Sequence, residues 1–513
     1  MIQQASVQPK QIRSVDIEIG NVFDLSDPAE NNSLYRIVNS LHMTTRPRTV
    51  SKQLLMQPGD TYSPRLREES ERILRSAAYL YDAEVCVHNA SAGSVDLRVK
   101  TRDVWSFEPG ISFGRKGGVN STTVEVSERN LFGRGMQLNL SRVSEVDRDA
   151  TEIGFQADHL TDHKLLLNTK YADRTDGHAA QLFFGKPFNE LDSRLSLMTS
   201  MTSTSSTEQL SNRGQTVNEF SKDLTEFDVK LGLSKGIDAG RVHRFFYSLK
   251  YRDESFSPSE LTLDPLLVPS DRTYVYPAFG YVYTEDNYLK THNQDQIGRT
   301  EDVYTGQTFE FEVGYAPTGL GSTTNSLLFS GQYDVGMQRS SKSMLLGTAE
   351  ADGRVVQGKL ENSTLDVGAR YFSGLGNKFV SYAAITATLG YNLDIDQQVL
   401  LGGDNGLRGY PLRYSTGSNR FLATVEQRYY SDWYPFRLFR VGFAAFVDVG
   451  RVWGKSNVSD TEQAWLADVG IGLRLASTRS AFGKLIHVDL AFPLGARQDI
   501  SNVQFLVSTK KRF

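Results

Sequence analysis

Nowhere in the 513 residues do about 18 apolar side chains follow one another, so the chain has no helix able to cross a membrane. It has a single cysteine, Cys86, which excludes an internal disulfide; set between Glu84 and His88, it reads as a small side chain in a strand. Neither sign of charge dominates. The formal net charge of -4 lacks the basic footprint of a nucleic-acid-binding protein, and no nucleic-acid partner is expected. The eight histidines are scattered. His159 and His163, with Asp158 and Asp162, lie across a polar turn and not on a helix face, so no metal is expected there. No leader is legible ahead of Gln3, and export has to be read from the rest of the chain. A mean hydropathy of -0.37 resembles that of a soluble protein. A spanning β-barrel averages to the same value, because its strands alternate apolar and polar side chains.

What the chain does have is aromatic residues, 28 Phe and 23 Tyr, and two regimes of periodicity. The first hundred residues mix helix and strand. Ile12–Phe23 alternates like a strand, and Asn32–His42 carries Leu34, Ile37, Val38 and Leu41 at helical spacing. Thr49–Met56 reads as extended, closed by the turn Pro58-Gly59-Asp60. Ser63-Pro64 opens a helix with a cap and a first-turn proline. Strands Glu84–His88 and Ser94–Lys100 complete a small α+β unit. The expected division is a tail over residues 1–11, this unit over 12–103 and a large β-domain over 104–513.

From Trp105 onward the helical period vanishes. Val441, Phe443, Ala445, Val447 and Val449 alternate with Gly442, Ala444, Phe446, Asp448 and Gly450, and the same pattern runs along Phe421–Tyr429, Trp465–Leu475 and Ile486–Leu494. A sandwich would bury the apolar face between sheets, whereas a membrane barrel would turn it to lipid and leave the polar face in a wet lumen. Roughly 400 residues of strand signal exceed a sandwich of about 100 residues, and no repeat at that period is visible. A transmembrane barrel is therefore expected. Sixteen to nineteen candidate strands can be marked, and a barrel with both ends on one side of the membrane needs an even number. Ser205–Glu219, Ser257–Arg272 and Lys290–Thr305 read as loops or turns.

The segment Leu401–Tyr414, LGGDNGLRGYPLRY, is a glycine-rich loop with Arg408 at its centre. Glycines let such a loop fold back on itself, and a guanidinium offers a planar fork suited to a carboxylate. Glu426, Asp448 and Asp468 stand on the polar faces of strands downstream. Two arrangements remain open: a loop tucked into the lumen onto those carboxylates, or an external loop with a solvated arginine.

Gly406-Leu407-Arg408-Gly409-Tyr410 resembles the VRGF/Y motif in the sixth loop of the BamA/TamA superfamily of polypeptide-transport barrels. Phe446-Val447-Asp448-Val449-Gly450 resembles that family's F-x-D-x-G motif, and Asn130-Leu131-Phe132-Gly133-Arg134-Gly135 its N-L-F-G-x-G turn near the barrel start. Gly59-Asp60 and Asp96–Lys100 resemble a POTRA domain, and Phe513 is a terminal aromatic as in most bacterial outer-membrane barrels. The resemblance implies a mainly β protein with a 16-stranded antiparallel barrel after one POTRA-like domain. It also implies a sixth loop inside the lumen with Arg408 paired to Asp448. The chain has room for one POTRA domain where the BamA type carries several, and nothing before Ile12 is long enough for a plug helix.

The string Gly110-Ile111-Ser112-Phe113-Gly114 matches a nucleophile elbow, but no helical pattern follows it, and no acid–base pair stands out. An enzyme is not expected, nor is any cofactor. By resemblance, the barrel's first and last strands, within Val104–Arg115 and Asn502–Phe513, form a weak seam at which an unfolded client is templated. Gly110 and Gly114 loosen the first strand, and a cysteine pair such as Ser112 with Leu506 would test the seam. The expected function is insertion or assembly of outer-membrane proteins, or their translocation, in a bacterial outer membrane, with the N-terminal domain in the periplasm. Expected partners are outer-membrane lipid, unfolded polypeptides and periplasmic chaperones or accessory proteins. Secretion of a specific exoprotein through the lumen, or a passive channel or structural role, are the alternatives.

Overall fold

A computed structural model describes residues 10–294, 297, 299–456, 458, 464–479, 485–495 and 500–510. The N-terminal unit runs β1 (Gln11–Gly20), α1 (Ser33–Leu41), α2 (Pro47–Ser51), α3 (Pro64–Ser76), β2 (Leu80–Ala90) and β3 (Ser94–Asp103). β3 lies between the other two strands, parallel to β1 and antiparallel to β2. Asn32 caps α1 by accepting the Tyr35 amide, and Ser63 caps α3 by accepting that of Leu66, ahead of Pro64. Val50, Leu74, Leu80, Val85 and Val99 close the core between helices and sheet. The segment expected to be extended starts with the short helix α2, because Pro47 presets its first turn.

The rest is built round one closed antiparallel barrel, with two small two-stranded sheets in its connections. Its burial is the reverse of a soluble protein's. Ile111, Val124, Leu140, Phe245, Val425, Val447 and Ile471 are exposed on its outer wall, while Glu125, Ser141, Glu426, Asp448, Asp468 and Arg474 are buried inside. Carboxylates and guanidiniums are buried only when paired, and so many exposed aliphatic side chains need a non-aqueous solvent. A sandwich between water layers would show the opposite arrangement.

Among the described residues the barrel has 20 strands, not 16. All the strands keep the up-and-down order and both ends of the barrel lie on the side of the N-terminal unit, here called the near end. The arginine loop joins strands Phe379–Tyr391 and Asn419–Tyr430 and is the eighth loop at the far end, not the sixth. Ser205–Glu219 is no loop either: it falls in strands Leu195–Asn212 and Gln215–Asp238, joined by a tight turn at Arg213-Gly214. Strands of 18 and 24 residues outrun the roughly 9–11 residues that cross a bilayer. Beyond the lipid both faces of a strand meet water, so alternation fades and the sequence there reads as loop. Ser257–Arg272 does contain a far-end loop, whereas Lys290–Thr305 falls in a near-end hairpin, Tyr288–His292 with Thr300–Tyr304.

Candidate functional site: a lumenal arginine loop beside a one-pair seam

The long eighth loop turns inward. A two-stranded base, Val399–Leu401 with Ser415–Gly417, holds its ends together. Asn405 accepts the Gly402 amide at 2.6 Å and donates to the Leu400 carbonyl at 2.7 Å, and the Leu407 amide donates to the Gly402 carbonyl at 3.0 Å. Gly406, at φ +126°, lets the chain reverse. Leu407 and Tyr410 are buried with Leu401, Tyr414, Val452 and Ile500, an apolar cluster inside the barrel that fixes the loop's depth.

Arg408 therefore lies in the lumen and not in solvent. Its Nε and Nη2 donate to the two carboxylate oxygens of Asp448 at 2.7 and 2.9 Å, a bidentate pair, and Nη1 reaches Glu426 at 3.2 Å. The guanidinium stacks 3.2 Å from the ring centroid of Phe446, two residues before Asp448 on the same inner face. Asp468 has a different role from the expected ion pair. It sits opposite Asp448 in register and accepts the Gly409 amide at 2.9 Å. A Cβ on Gly409 would come within 2.7 Å of the Asp468 Cβ and 3.1 Å of the Pro493 amide nitrogen, so glycine is required for this approach. The Tyr410 hydroxyl donates to the Ala467 carbonyl at 3.1 Å.

Strand register adds residues that spacing did not select. Arg474 joins Glu426 at 3.4 Å and Asp489 at 2.5 Å, and Arg428 donates to Glu426 at 3.0 Å. A second anchor holds the loop's entry. Asp394 accepts from Arg272 at 2.5 Å and from Arg354 at 2.7 and 2.8 Å, while Asp396 accepts from Arg272 at 3.0 Å and Lys222 at 3.1 Å. The loop thus spans the lumen from the middle strands to the last ones. Its legible signal was the Asp394-Ile395-Asp396 pair just past a strand end; the partners lie 40 to 174 positions away.

The barrel closes between Phe107–Lys116 and Gln504–Lys510 through one register pair, Val507 with Arg115. Neighbouring pairs of strands share seven or more partners, so the seam is by far the weakest junction among the described residues. The register also moves the test pair: extended from Val507 and Arg115, it sets Leu506 beside Lys116 and not beside Ser112. Gly110, Ser112 and Gly114 line the inner face of the first strand, with Ile111 and Phe113 outside, so the elbow-like string is strand throughout. Gly117, in the turn after this strand, has no room for a Cβ against Leu412 of the arginine loop. The loop therefore touches both sides of the seam.

At the near end, the turn Asn130–Gly135 docks the N-terminal unit. Asn130 is buried, accepts the Gly135 amide and donates to Thr45, which donates to Asp103; Gly133 accepts the Arg46 amide at 2.9 Å. Leu131 ends a strand and Phe132 is exposed at φ +58°. Hairpin 288–304 covers the mouth: Ile297 is buried against Val380, Tyr430, Ala476 and Leu485, and α3 clamps the hairpin from below through Arg75–Asp302 at 2.6 Å and Glu71–Lys290 at 2.5 Å. Burial acts to raise the Glu71 pKa, but Lys290, the Val85 amide and Arg75 together hold it below the usual carboxylate value. Asp162 is taken by Arg48 and Lys52. Phe513 lies outside the described residues.

No curated protein matches the sequence. Among solved structures, BamA from Haemophilus ducreyi lacking POTRA domains 1-3 is similar at 13% identity, covering 98% of this chain and 84% of that one, with a TM-score of 0.41. CdiB from Acinetobacter baumannii is similar at 12% identity over 98% of this chain and 73% of that one, TM-score 0.45. CdiB from Escherichia coli gives 11%, 99%, 91% and 0.39. These likenesses are distant, and the assignment rests on the sequence. The Omp85 superfamily domain matches residues 130–513, and the chain belongs to that superfamily of outer-membrane barrels.

Proposed function

We propose that the chain inserts or assembles outer-membrane proteins in a bacterial outer membrane, templating an unfolded client at its own seam, with the N-terminal unit on the periplasmic side as a POTRA-like domain. The observation that carries this is the single register pair, Val507 with Arg115, that closes the barrel among the described residues. An unpaired strand edge offers main-chain donors and acceptors to any extended client, whatever its sequence. The arginine loop supports the same reading. It holds the last strands through Asp448 and Asp468 and touches the turn after the first strand, so the barrel keeps its shape while backbone pairing at the seam stays sparse. The loop crosses the lumen and hairpin 288–304 packs through Ile297 across part of its near mouth; both narrow the pore and favour a lateral route over passage of an exoprotein through it. The reading assigns the chain no chemistry on its client, only strand pairing.

The test is reconstitution. Proteoliposomes carrying the chain are expected to fold a urea-denatured outer-membrane barrel faster than empty liposomes, read as its heat-modifiable gel band. Equal rates with and without the chain contradict the assignment.

A further inference from the structure

Helix α1 has three faces. Tyr35, Val38 and Asn39 turn inward: Tyr35 and Val38 pack with Val22, Phe23, Trp105 and Leu438, and Asn39 bonds the backbone of Phe23. Arg36, Ser40 and Ser33 form an exposed polar face. Between them Leu34, Ile37 and Leu41, at i, i+3 and i+7, make an apolar stripe that is 63, 55 and 71% exposed. The helical spacing that should mark a core face here marks an uncovered one.

Position says what covers it. The Tyr35 hydroxyl donates to the Phe436 carbonyl at 2.7 Å, tying the helix to the near-end turn before strand Phe439–Trp453. Phe436 and Trp433 on that turn are 79 and 62% exposed, and the strand's outward residues Phe439, Phe443 and Val447 continue the apolar belt upward. At its other end, α1 runs through exposed Met43 to Arg46, whose amide donates to Gly133 beside exposed Phe132. The helix thus lies at the rim of the lipid-facing wall, bonded to it at both ends, with its apolar stripe uncovered. Aromatic residues at such a rim sit at headgroup depth, and a short helix with one apolar and one polar exposed face fits the plane of that boundary.

We propose that α1 lies in the near leaflet of the bilayer as an in-plane amphipathic helix, with Leu34, Ile37 and Leu41 among the acyl chains and Arg36 at the headgroups. The segment that carries it bonds the turns on either side of the seam, at Phe436 and Gly133, and is tied to a third by Arg479, which donates to the Val22 carbonyl at 2.7 Å. The helix therefore occupies the leaflet at the foot of the seam. This goes beyond client templating and stands whether or not a client is folded there.

The lone thiol makes the test direct. In a Cys86→Ser background, or Cys86→Ala if that folds better, single cysteines at Leu34, Arg36, Ile37, Ser40 and Leu41 are spin-labelled in the full chain. Each is reconstituted in phosphatidylethanolamine–phosphatidylglycerol vesicles after its heat-modifiable band confirms the barrel. The ratio of oxygen to nickel-chelate collisions is expected to be several-fold higher at positions 34, 37 and 41 than at 36 and 40. Nickel access at all five positions overturns the proposal. So does shielding of the apolar three from both reagents, which would mean that another protein surface covers the stripe.

Discussion

Replacing Arg408 with alanine leaves Asp448 buried without its guanidinium partner, while Glu426 keeps Arg428 and Arg474. Breaking a buried pair in this way costs about 3–5 kcal/mol, so Arg408→Ala is expected to lower the yield of folded barrel and its temperature of unfolding. Arg408→Lys keeps the charge but cannot make the bidentate contact, and is expected to restore only part of the loss. The swap Arg408→Asp with Asp448→Arg should outperform either single reversal, read as heat-modifiable band intensity. Gly409→Ala tests packing alone: with Asp468 and Pro493 in the way, overpacking is expected to cost about 1–3 kcal/mol. At this scale much was legible. Arg408 and Asp448 stand in short local motifs, and period two puts Glu426, Asp448 and Asp468 on inner faces. The role of Asp468 as acceptor of the Gly409 amide, and the parts of Arg474, Arg428 and Asp489, depend on cross-strand register, which no single strand encodes.

Between elements, the docking of α3 on hairpin 288–304 carries a pH dependence. Glu71 is held below its usual pKa when docked, so its contribution is fully present above the ordinary carboxylate value near ~4.3 and is lost as pH falls through the lowered one. Protease sensitivity of the N-terminal unit, measured in detergent across this range, is expected to rise on acidification, and Glu71→Gln should flatten the profile. An unchanged profile in the variant contradicts the assignment to Glu71. The elements of the N-terminal unit were readable because caps and helical period are local signals, as at Asn32 and Ser63. The exposure of Leu34, Ile37 and Leu41 was not, since periodicity shows that a face is apolar and not what it meets. The hairpin's place across the mouth was equally hidden; Ile297 finds Val380 and Tyr430 only after the barrel closes.

Over the whole molecule, barrel architecture followed from alternation, but the strand number did not. Strands Leu195–Asn212, Gln215–Asp238 and Arg241–Pro258 project past the lipid, where polar residues such as Ser205, Ser206 and Thr207 occupy both faces and erase the period. The arginine motif marks its loop without counting the strands before it. Client folding at the seam requires the closed barrel to open at Val507 and Arg115. The direct measurement is a disulfide between Arg115→Cys and Val507→Cys in a Cys86→Ser background, with client folding followed in proteoliposomes before and after oxidation. The oxidised barrel is expected to keep its heat-modifiable band, fold clients no faster than empty vesicles, and recover on reduction. A locked seam that still folds clients at the full rate contradicts the account.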